Sequence, residues 1–440
     1  MKHFFLSSLI LLICLPAFGE PVAPDSTLLP KKRTDIATVL PNPFSIPEKA
    51  VVLSGDSTRA SKEVVAVIYN VDNLSFNDPS VPRFQFFDRQ GNTILGIGGQ
   101  AEVFGYADFE GIVDGYEFDV WNISRPNQRD QKSQIGATPS QTSIFLKLAH
   151  STKIGVFSMY VNANFAQGDN KRSFGLRQAY VSFAGITAGY ARSTFSDPSA
   201  TVPSIDPFGP IGTISRRNIL LAYRRNFKKH IYATLSVEMP SATYTTDEYT
   251  RKLNQRFPDI PVNVQYTWYN GSHIRFAAIL RNLNYRNLLT NSNHIVTGYG
   301  FQLSGLAAMT HFLDLRYQIA YGKGIGYYIK GTARHGVDLI PSLTPGKMLA
   351  PATFSLVAGL QFNISKRVYI STSYSMARLY DQQALGPDMF RRGEYIDANA
   401  FWSPLSGLQL GLGYIHGKRV NSNRLSGDAN RALLMVKYSF

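Results

Sequence analysis

The 440 residues include one cysteine, eight histidines and three tryptophans, so the chain is poor in the side chains that carry thiol, metal and general-base chemistry. Cys14 ends an apolar run from Phe4 that follows Lys2 and His3, and Pro16 then leads to Ala17-Phe18-Gly19. A charged start, an apolar stretch and small residues at −3 and −1 predict an export signal over residues 1–19, cleaved after Gly19. The bulky Ile13 before Cys14 argues against lipidation. The mature chain then has no thiol, which excludes disulfides and thiolate metal sites. Losing Lys2 takes the net charge from +15 to +14.

His3, His150, His230, His273, His294, His311, His335 and His416 are scattered, with no pair at ligand spacing and no Gly-x-Ser-x-Gly elbow. A nucleophile, base and orienter within hydrogen-bond reach are therefore not indicated. The expectation is a chain without enzymatic activity, catalytic residues, metal or cofactor. His230, His273 and His311 adjoin short turns and read as surface residues at one end of the fold. Asp108, Glu110, Asp114, Glu117 and Asp119 crowd one segment. Such carboxylates could hold Ca²⁺, but a solvated acidic loop is the plainer reading. Charged residues make up only 17%, against 44% hydrophobic. An ordinary disordered chain is excluded. No stretch approaches the ~20 apolar residues of a spanning helix, which excludes a helical membrane bundle. Acidic residues are few, 30 against 45 Lys and Arg. Nucleic-acid binding does not suit an exported chain without a compact basic motif. An anionic membrane surface and an internal basic lining remain.

What the chain has in quantity is alternation. Ile231, Ala233, Leu235, Val237 and Met239 alternate with His230, Tyr232, Thr234, Ser236 and Glu238; Leu313, Leu315, Tyr317, Ile319 and Tyr321 alternate with Asp314, Arg316, Gln318, Ala320 and Gly322. Side chains of a strand point to opposite faces, so each segment has one greasy and one wet face. Each is about the ~9–11 residues that cross a bilayer at a tilt. Sixteen strands are expected, near 97–108, 141–149, 154–165, 174–184, 186–194, 215–224, 231–240, 261–270, 273–283, 295–305, 311–322, 352–364, 367–378, 394–403, 408–418 and 428–440. Their connections alternate between short (Gly185, Asn270-Gly271-Ser272, Ser365-Lys366) and long (109–140, 195–214, 241–260, 323–351). That segregation is the grammar of an outer-membrane barrel and has no reason to arise in a soluble sandwich. The fold class is all-β: a transmembrane antiparallel β-barrel over 96–440, with a short N-terminal periplasmic extension over 20–95. Pro21, Pro24, Pro30, Pro41, Pro43 and Pro47 make the start of that extension a linker. A helix is expected near Ser57–Val71, with Val64, Val67, Ile68 and Val71 on one face. It either packs between subunits or belongs to a tail ordered on contact.

Ala432, Leu434, Val436, Tyr438 and Phe440 take every second position to the last residue. This looks like the signal read by the barrel-assembly machinery, because the last strand offers a lipid-facing edge and must pair with the first. Trp121, Trp268 and Trp402 read as interfacial girdle residues, since a water-filled barrel leaves little apolar core. A sixteen-stranded barrel is wide enough to hold water. The loop from Phe195 to Gly212 carries Pro198, Pro203, Pro207 and Pro210, which fix φ. A stiff third loop folded inward would set the bore.

Three stretches carry a resemblance. Gly175-Leu176-Arg177-Gln178-Ala179-Tyr180-Val181-Ser182-Phe183 with Thr187-Ala188-Gly189-Tyr190-Ala191-Arg192-Ser193-Thr194-Phe195-Ser196-Asp197-Pro198 is similar to the fourth and fifth strands and loop-three entry of DcaP-like outer-membrane porins, relatives of the phosphate-selective porins. Asn399-Ala400-Phe401-Trp402-Ser403-Pro404 and Leu410-Gly411-Leu412-Gly413-Tyr414-Ile415-His416-Gly417-Lys418-Arg419 resemble their last strands. Phe86-Phe87-Asp88-Arg89-Gln90-Gly91-Asn92 with Gly96-Ile97-Gly98-Gly99 resembles the entry to their first. The resemblance spans roughly residues 85–440. It implies a homotrimeric, sixteen-stranded channel among outer-membrane lipids for small anionic solutes such as dicarboxylates, often with a periplasmic helical extension.

The residues argue for anions on their own account. Arg192, Arg216, Arg217, Arg224, Arg275 and Arg316 stand on wet faces or loop roots, as do Arg281, Arg378, Arg431 and Lys437. Arg177 lies on a strand whose facing the sequence leaves open. Guanidinium forks match carboxylate and phosphate, and rings of Arg bias a pore towards anions. Arg192, Arg216 and Arg217 bracket the third loop and are the first choice for a constriction; Asp197 and Asp206 within it would oppose them. The expected function is passive diffusion of small hydrophilic solutes across the outer membrane through an Arg-lined lumen. The alternative is a structural or adhesive outer-membrane barrel whose loops bind a surface ligand.

Overall fold

The structure, a computed structural model, describes residues 51–54, 62–70, 74–79, 81–109, 111, 113, 115–124, 133–167 and 173–440. The export signal, Cys14 and the proline-rich linker lie outside the described residues, as do Val71, Glu110 and Asp114. Sixteen antiparallel strands close into a barrel: β1 (Thr93–Phe109), β2 (Ser143–Thr152), β3 (Gly155–Gln167), β4 (Ser173–Phe183), β5 (Ile186–Arg192), β6 (Arg217–Lys228), β7 (Ile231–Glu238), β8 (Ile260–Thr267), β9 (His273–Asn287), β10 (Ser292–Ala308), β11 (Leu313–Lys323), β12 (Ala352–Asn363), β13 (Val368–Leu379), β14 (Phe390–Leu405), β15 (Leu408–Asn421) and β16 (Ser426–Ser439). A short strand, Ser133–Thr138, pairs with the external half of β1 in line with β2, so part of the span taken as the first long loop is wall. Pro139-Ser140-Gln141-Thr142 interrupts the two pieces, and this break hides their continuity in the sequence.

The alternation has the orientation that a lipid-immersed wall requires. On β6, Ile219, Leu221 and Tyr223 are more than half exposed, whereas Asn218, Leu220 and Ala222 are buried. On β7, Leu235 and Val237 face out, and Ser236 and Glu238 face in. Trp268 and Trp402 are outward at the short-turn ends of β8 and β14, as interfacial residues should be. The ring closes between β16 and β1, from Asn430 opposite Phe109 to Ser439 opposite Gln100. Phe440 exchanges both backbone hydrogen bonds with Gly99 at 2.8 and 3.0 Å. A Cβ on Gly99 would stand 2.6 Å from the Ser143 carbonyl oxygen and 2.9 Å from the Phe440 ring, so the terminal aromatic seats only against glycine. Below that point the edge of β1 is taken by Phe84–Phe87, pairing Phe84 with Ile97 through Phe87 with Ile94. Val51–Ser54 runs parallel to that strand. The edge of the first barrel strand is thus covered there.

The interior departs from the expectation of little core. The loop after β1 (L1), the loop between β5 and β6 (L3) and the loop between β11 and β12 (L6) meet inside the barrel. Phe118, Val120, Phe195, Ile205, Ile211, Ile325, Tyr328 and Ile329 form one apolar cluster with the inward-facing Tyr369, Tyr395, Phe401 and Ile415. Trp121 belongs here rather than to a girdle: its ring stacks on His335 at 4.2 Å and Phe390 at 4.3 Å. A lumen this wide tolerates inward loops only if they bring apolar residues to cover each other, which these do.

Candidate functional site: the basic lumen beside the third loop

L3 leaves the wall at Arg192 and returns at Arg217. It crosses to the opposite wall: the Ile205 amide donates to Asn399 Oδ1 at 3.2 Å, and Ser371 Oγ donates to the Pro203 carbonyl at 2.5 Å. Val202 packs where Gly359 has no side chain, since a Cβ there would meet it at 2.5 Å. The inward course expected of this loop is therefore seen. Asp197 caps the short helical turn Pro198–Ala200 and accepts from His273 Nε2 at 2.9 Å and Ser304 Oγ at 2.7 Å. Burial raises its pKa, but His273 and Arg275 outweigh that and hold it below the usual carboxylate range. His273 is accordingly buried and inward, not a surface residue; its place at a strand start beside a turn concealed this.

Asp206, at the far end of L3, accepts from the Phe208 amide at 3.0 Å and the Tyr395 hydroxyl at 3.1 Å. Burial pushes its pKa up to about 6 against those donors and the nearby Arg431 and Lys330. Lys330, on L6, donates to the Gly209 carbonyl at 2.8 Å, and burial lowers its pKa to about 8. Both acids of L3 are thus buried anchors of the loop.

The inward cations sort into three groups. Arg281 is fully buried between Asp259 at 3.1 Å and Asp338 at 2.9 Å, and Arg431 is fully buried against Asp108 at 2.5 Å. These bind L4 (239–259), L6 and L1 to the wall. Glu117 pairs with Arg334, and Asp119 accepts from His335 at 2.8 Å. Asp108, Glu117 and Asp119 are therefore each engaged by a basic side chain, and no metal-holding group of three ligands occurs among the described residues.

The second group lies at and below L3. Arg216 donates to the Tyr327 carbonyl at 2.5 Å. Arg275 donates to Gln265, the Ser196 carbonyl and Tyr232 Oη at 2.7–2.8 Å. Arg316 reaches the Ser199 carbonyl at 2.5 Å and Gln361 at 3.1 Å, and Arg224 lies 3.6 Å from the Tyr232 ring centroid. Arg224 and Arg316 line a cavity of about 360 Å³ with Lys228, Lys229, His230 and His273. Arg378, by contrast, shares the outward set of β13 with Tyr374 and Met376, its guanidinium 4.5 Å from Tyr380. It lies on the other face because β13 is read with Tyr369, Ser371 and Ser373 inward.

The third group, Arg177, Arg192 and Arg217, converges on one carboxylate that the sequence did not single out. Asp78 lies 3.2 Å from Arg177 Nη2 and from Arg217 Nη2, and Arg192 grips its other oxygen. A register shift between Asn162 and Ala163 on β3 lets Arg177 turn inward beside the inward Gln178. That settles a facing the alternation left open. Asp78 follows the helix Lys62–Ile68, whose Val64 and Ile68 bury against Ile94 and Ala149 on the inner wall. Inward Lys147 donates to the Ile68 carbonyl at 3.0 Å and the Asn70 carbonyl at 2.8 Å, closing the helix C-terminus. The helix sits inside the barrel mouth, because its apolar face finds an apolar inner wall there.

Comparison with known proteins places this geometry. Residues 105–279 match the family described as the porin subfamily. The fold is also that of solved outer-membrane channels. The outer membrane channel DcaP of Acinetobacter baumannii is 18% identical over 80% of this chain and 99% of its own, with a TM-score of 0.70. An anion-selective porin from Comamonas acidovorans is 10% identical over 79% and 100%, with a TM-score of 0.50. No curated protein matches the chain. The chain has a porin-type barrel fold, similar to pore proteins rather than enzymes, and the apolar wall and this likeness support an outer-membrane location.

Proposed function

We propose that the chain is an outer-membrane porin that lets small hydrophilic solutes diffuse passively and favours anions such as dicarboxylates. The observation that carries this reading is the inward set of arginines gathered at and below a loop that crosses the lumen. Arg224, Arg275 and Arg316 line the space on one side of L3, and Arg192, Arg216 and Arg217 stand at its roots. Within low-dielectric walls such charges focus the field and raise the local anion concentration. Asp197 and Asp206 add little opposing charge to the passage, because His273, Ser304, Tyr395 and the Phe208 amide hold them inside the loop anchors. A homotrimer, as in the resembled porins, is the proposed assembly, and Phe440 at the ring seam is the proposed handle for the barrel-assembly machinery. An adhesive barrel would present L1 and L6 outward, whereas their apolar residues are spent on covering one another inside the barrel.

Planar-bilayer recording tests the reading. Discrete conductance steps with an anion-favouring reversal potential are expected, and Arg192→Gln, Arg216→Gln and Arg217→Gln together are expected to move that potential towards cations. A protein that inserts but never conducts would overturn the porin reading. An unmoved potential would take selectivity away from these three residues.

A further inference from the structure

The environment of Asp78 is more than a tether needs. One carboxylate meets three guanidiniums, where a single Arg would satisfy a structural ion pair. Ser75 adds two bonds to the same oxygen, from its amide at 2.9 Å and its hydroxyl at 2.8 Å, and Arg192 Nη2 donates to that hydroxyl at 2.6 Å. Arg177 Nε and Arg217 Nε are buried and meet no acceptor among the described residues. Among the described residues the cluster therefore has donor capacity and positive charge beyond what Asp78 uses, arranged as planar forks that suit a carboxylate.

One member of the cluster borders open space. Arg192 lines a small cavity of about 70 Å³ together with Arg224 and Arg275. Arg224 in turn borders both the 360 Å³ space and a further one of about 220 Å³ under the helix, lined by Val67, Ile68 and Leu74. Arg224 thus borders all three spaces, and Arg192 ties the cluster at Asp78 to the smallest of them. Besides these ion pairs, residues 74–79 are held by packing, with Leu74 and Phe76 buried in two apolar clusters, and by one further bond to the wall. Tyr160 Oη donates to the Pro79 carbonyl at 2.9 Å, and Phe76 packs edge-on against Phe401 at 5.4 Å.

From this we infer that Arg177, Arg192 and Arg217 form a binding site for small carboxylates, that Asp78 is its tethered occupant, and that a free carboxylate displaces residues 74–79 from the lumen. The inference rests on the porin reading for its solute. It adds that the chain's own N-terminal segment competes with that solute for one site. Occupancy by Asp78 narrows the mouth, and a carboxylate in its place releases the segment and widens it.

The test uses the full mature chain, folded in detergent and free of other thiols once residues 1–19 are gone, with Pro79→Cys as a reporter. Labelling by a water-soluble thiol reagent is followed in sodium chloride, in sodium succinate at the same ionic strength, and in chloride with succinamide, which has the same frame without the charge. Succinate is expected to speed labelling several-fold, and succinamide to leave it unchanged. Adding Asp78→Asn is expected to give fast labelling in all three. Equal rates in chloride and succinate, or slow labelling in the Asp78→Asn protein, would overturn the inference. If Asp78→Asn fails to fold, judged by its heat-dependent gel mobility, the succinate comparison alone decides. Bilayer recording separates this outcome from the porin reading. Anion-favouring steps whose size ignores succinate leave the porin standing and remove the inference. Succinate-dependent labelling in a protein that never conducts leaves the site standing and removes the porin.

Discussion

Two of the arginine groups of the lumen, the loop anchors and the cluster at Asp78, differ in their charge balance. Arg431 meets Asp108 one to one, and Arg281 is shared between Asp259 and Asp338, so these charges are matched or exceeded by carboxylates. Arg177, Arg192 and Arg217 share Asp78 alone among their ion-pair partners in the described residues. Matched charges in a dry interior weld loops to the wall and project little field. An unmatched cluster projects a field and stays available to an anion. The same residue type thus does two kinds of work in one barrel, and the deciding variable is the number of acidic groups within reach.

The matched group has the largest expected effect on folding. Arg431→Leu leaves Asp108 buried with Gln134 as its remaining side-chain donor among the described residues, and removing one partner of a buried pair costs about 3–5 kcal/mol. Urea unfolding in lipid micelles should show a loss of that size, with the reversal potential of any surviving channels unchanged. A selectivity change as large as that from the cluster at Asp78 would break the distinction.

An arginine placed on the lipid face should be costly for another reason, since it has neither a carboxylate nor water. Leu221 is 57% exposed on the outside of β6, midway along the strand. Leu221→Arg should cost about 2–4 kcal/mol in the same unfolding experiment, with no gain in anion preference. The unmatched group sharpens the comparison from the opposite side. Arg217→Gln leaves Asp78 with two guanidiniums, so stability should change by less than about 1.5 kcal/mol. The anion-to-cation permeability ratio should nevertheless fall measurably. Arg431→Leu and Arg217→Gln together form a cross-over: one moves chiefly stability, the other chiefly selectivity.

How much of this was legible in the sequence follows from the range of each interaction. The wall was legible nearly strand for strand, because lipid imposes its demand on every second residue locally: β9 and β11 begin within two residues of where alternation places them. The break at Pro139 interrupts that local signal, and the Ser133–Thr138 segment was lost with it. The inward loop course was legible from its prolines. The pairings were not. Asp78 lies 99 or more positions from each of its three arginines, and nothing in Ser75-Phe76-Asn77-Asp78-Pro79 marks it out. Arg177 was ambiguous because a bulge, not alternation, sets its direction. Trp121 was misplaced because a girdle and an inward stack ask for the same residue type; the distinction needs His335 and Phe390, more than 200 positions away.

The smallest expected effect concerns the far end of L3, where Asp206 and Lys330 form a third, weakly matched arrangement. Burial raises Asp206 to about 6, so between roughly pH 4 and 6 the folded protein keeps a proton that the unfolded chain has released. By linkage, the contribution of this group to stability is greatest below that interval and is lost as pH rises through about 6. Burial lowers Lys330 to about 8, so its contribution improves only as pH rises above that value towards the ordinary lysine range. Between pH 6 and 8 the loop carries both buried charges at once, and L3 should be least firmly held there. The melting temperature of the folded protein should be higher at pH 5 than at pH 7, and Asp206→Asn should remove most of that difference. A difference that survives the substitution would assign the acid-side gain to other carboxylates and leave Asp206 as a plain acceptor for Tyr395 and the Phe208 amide.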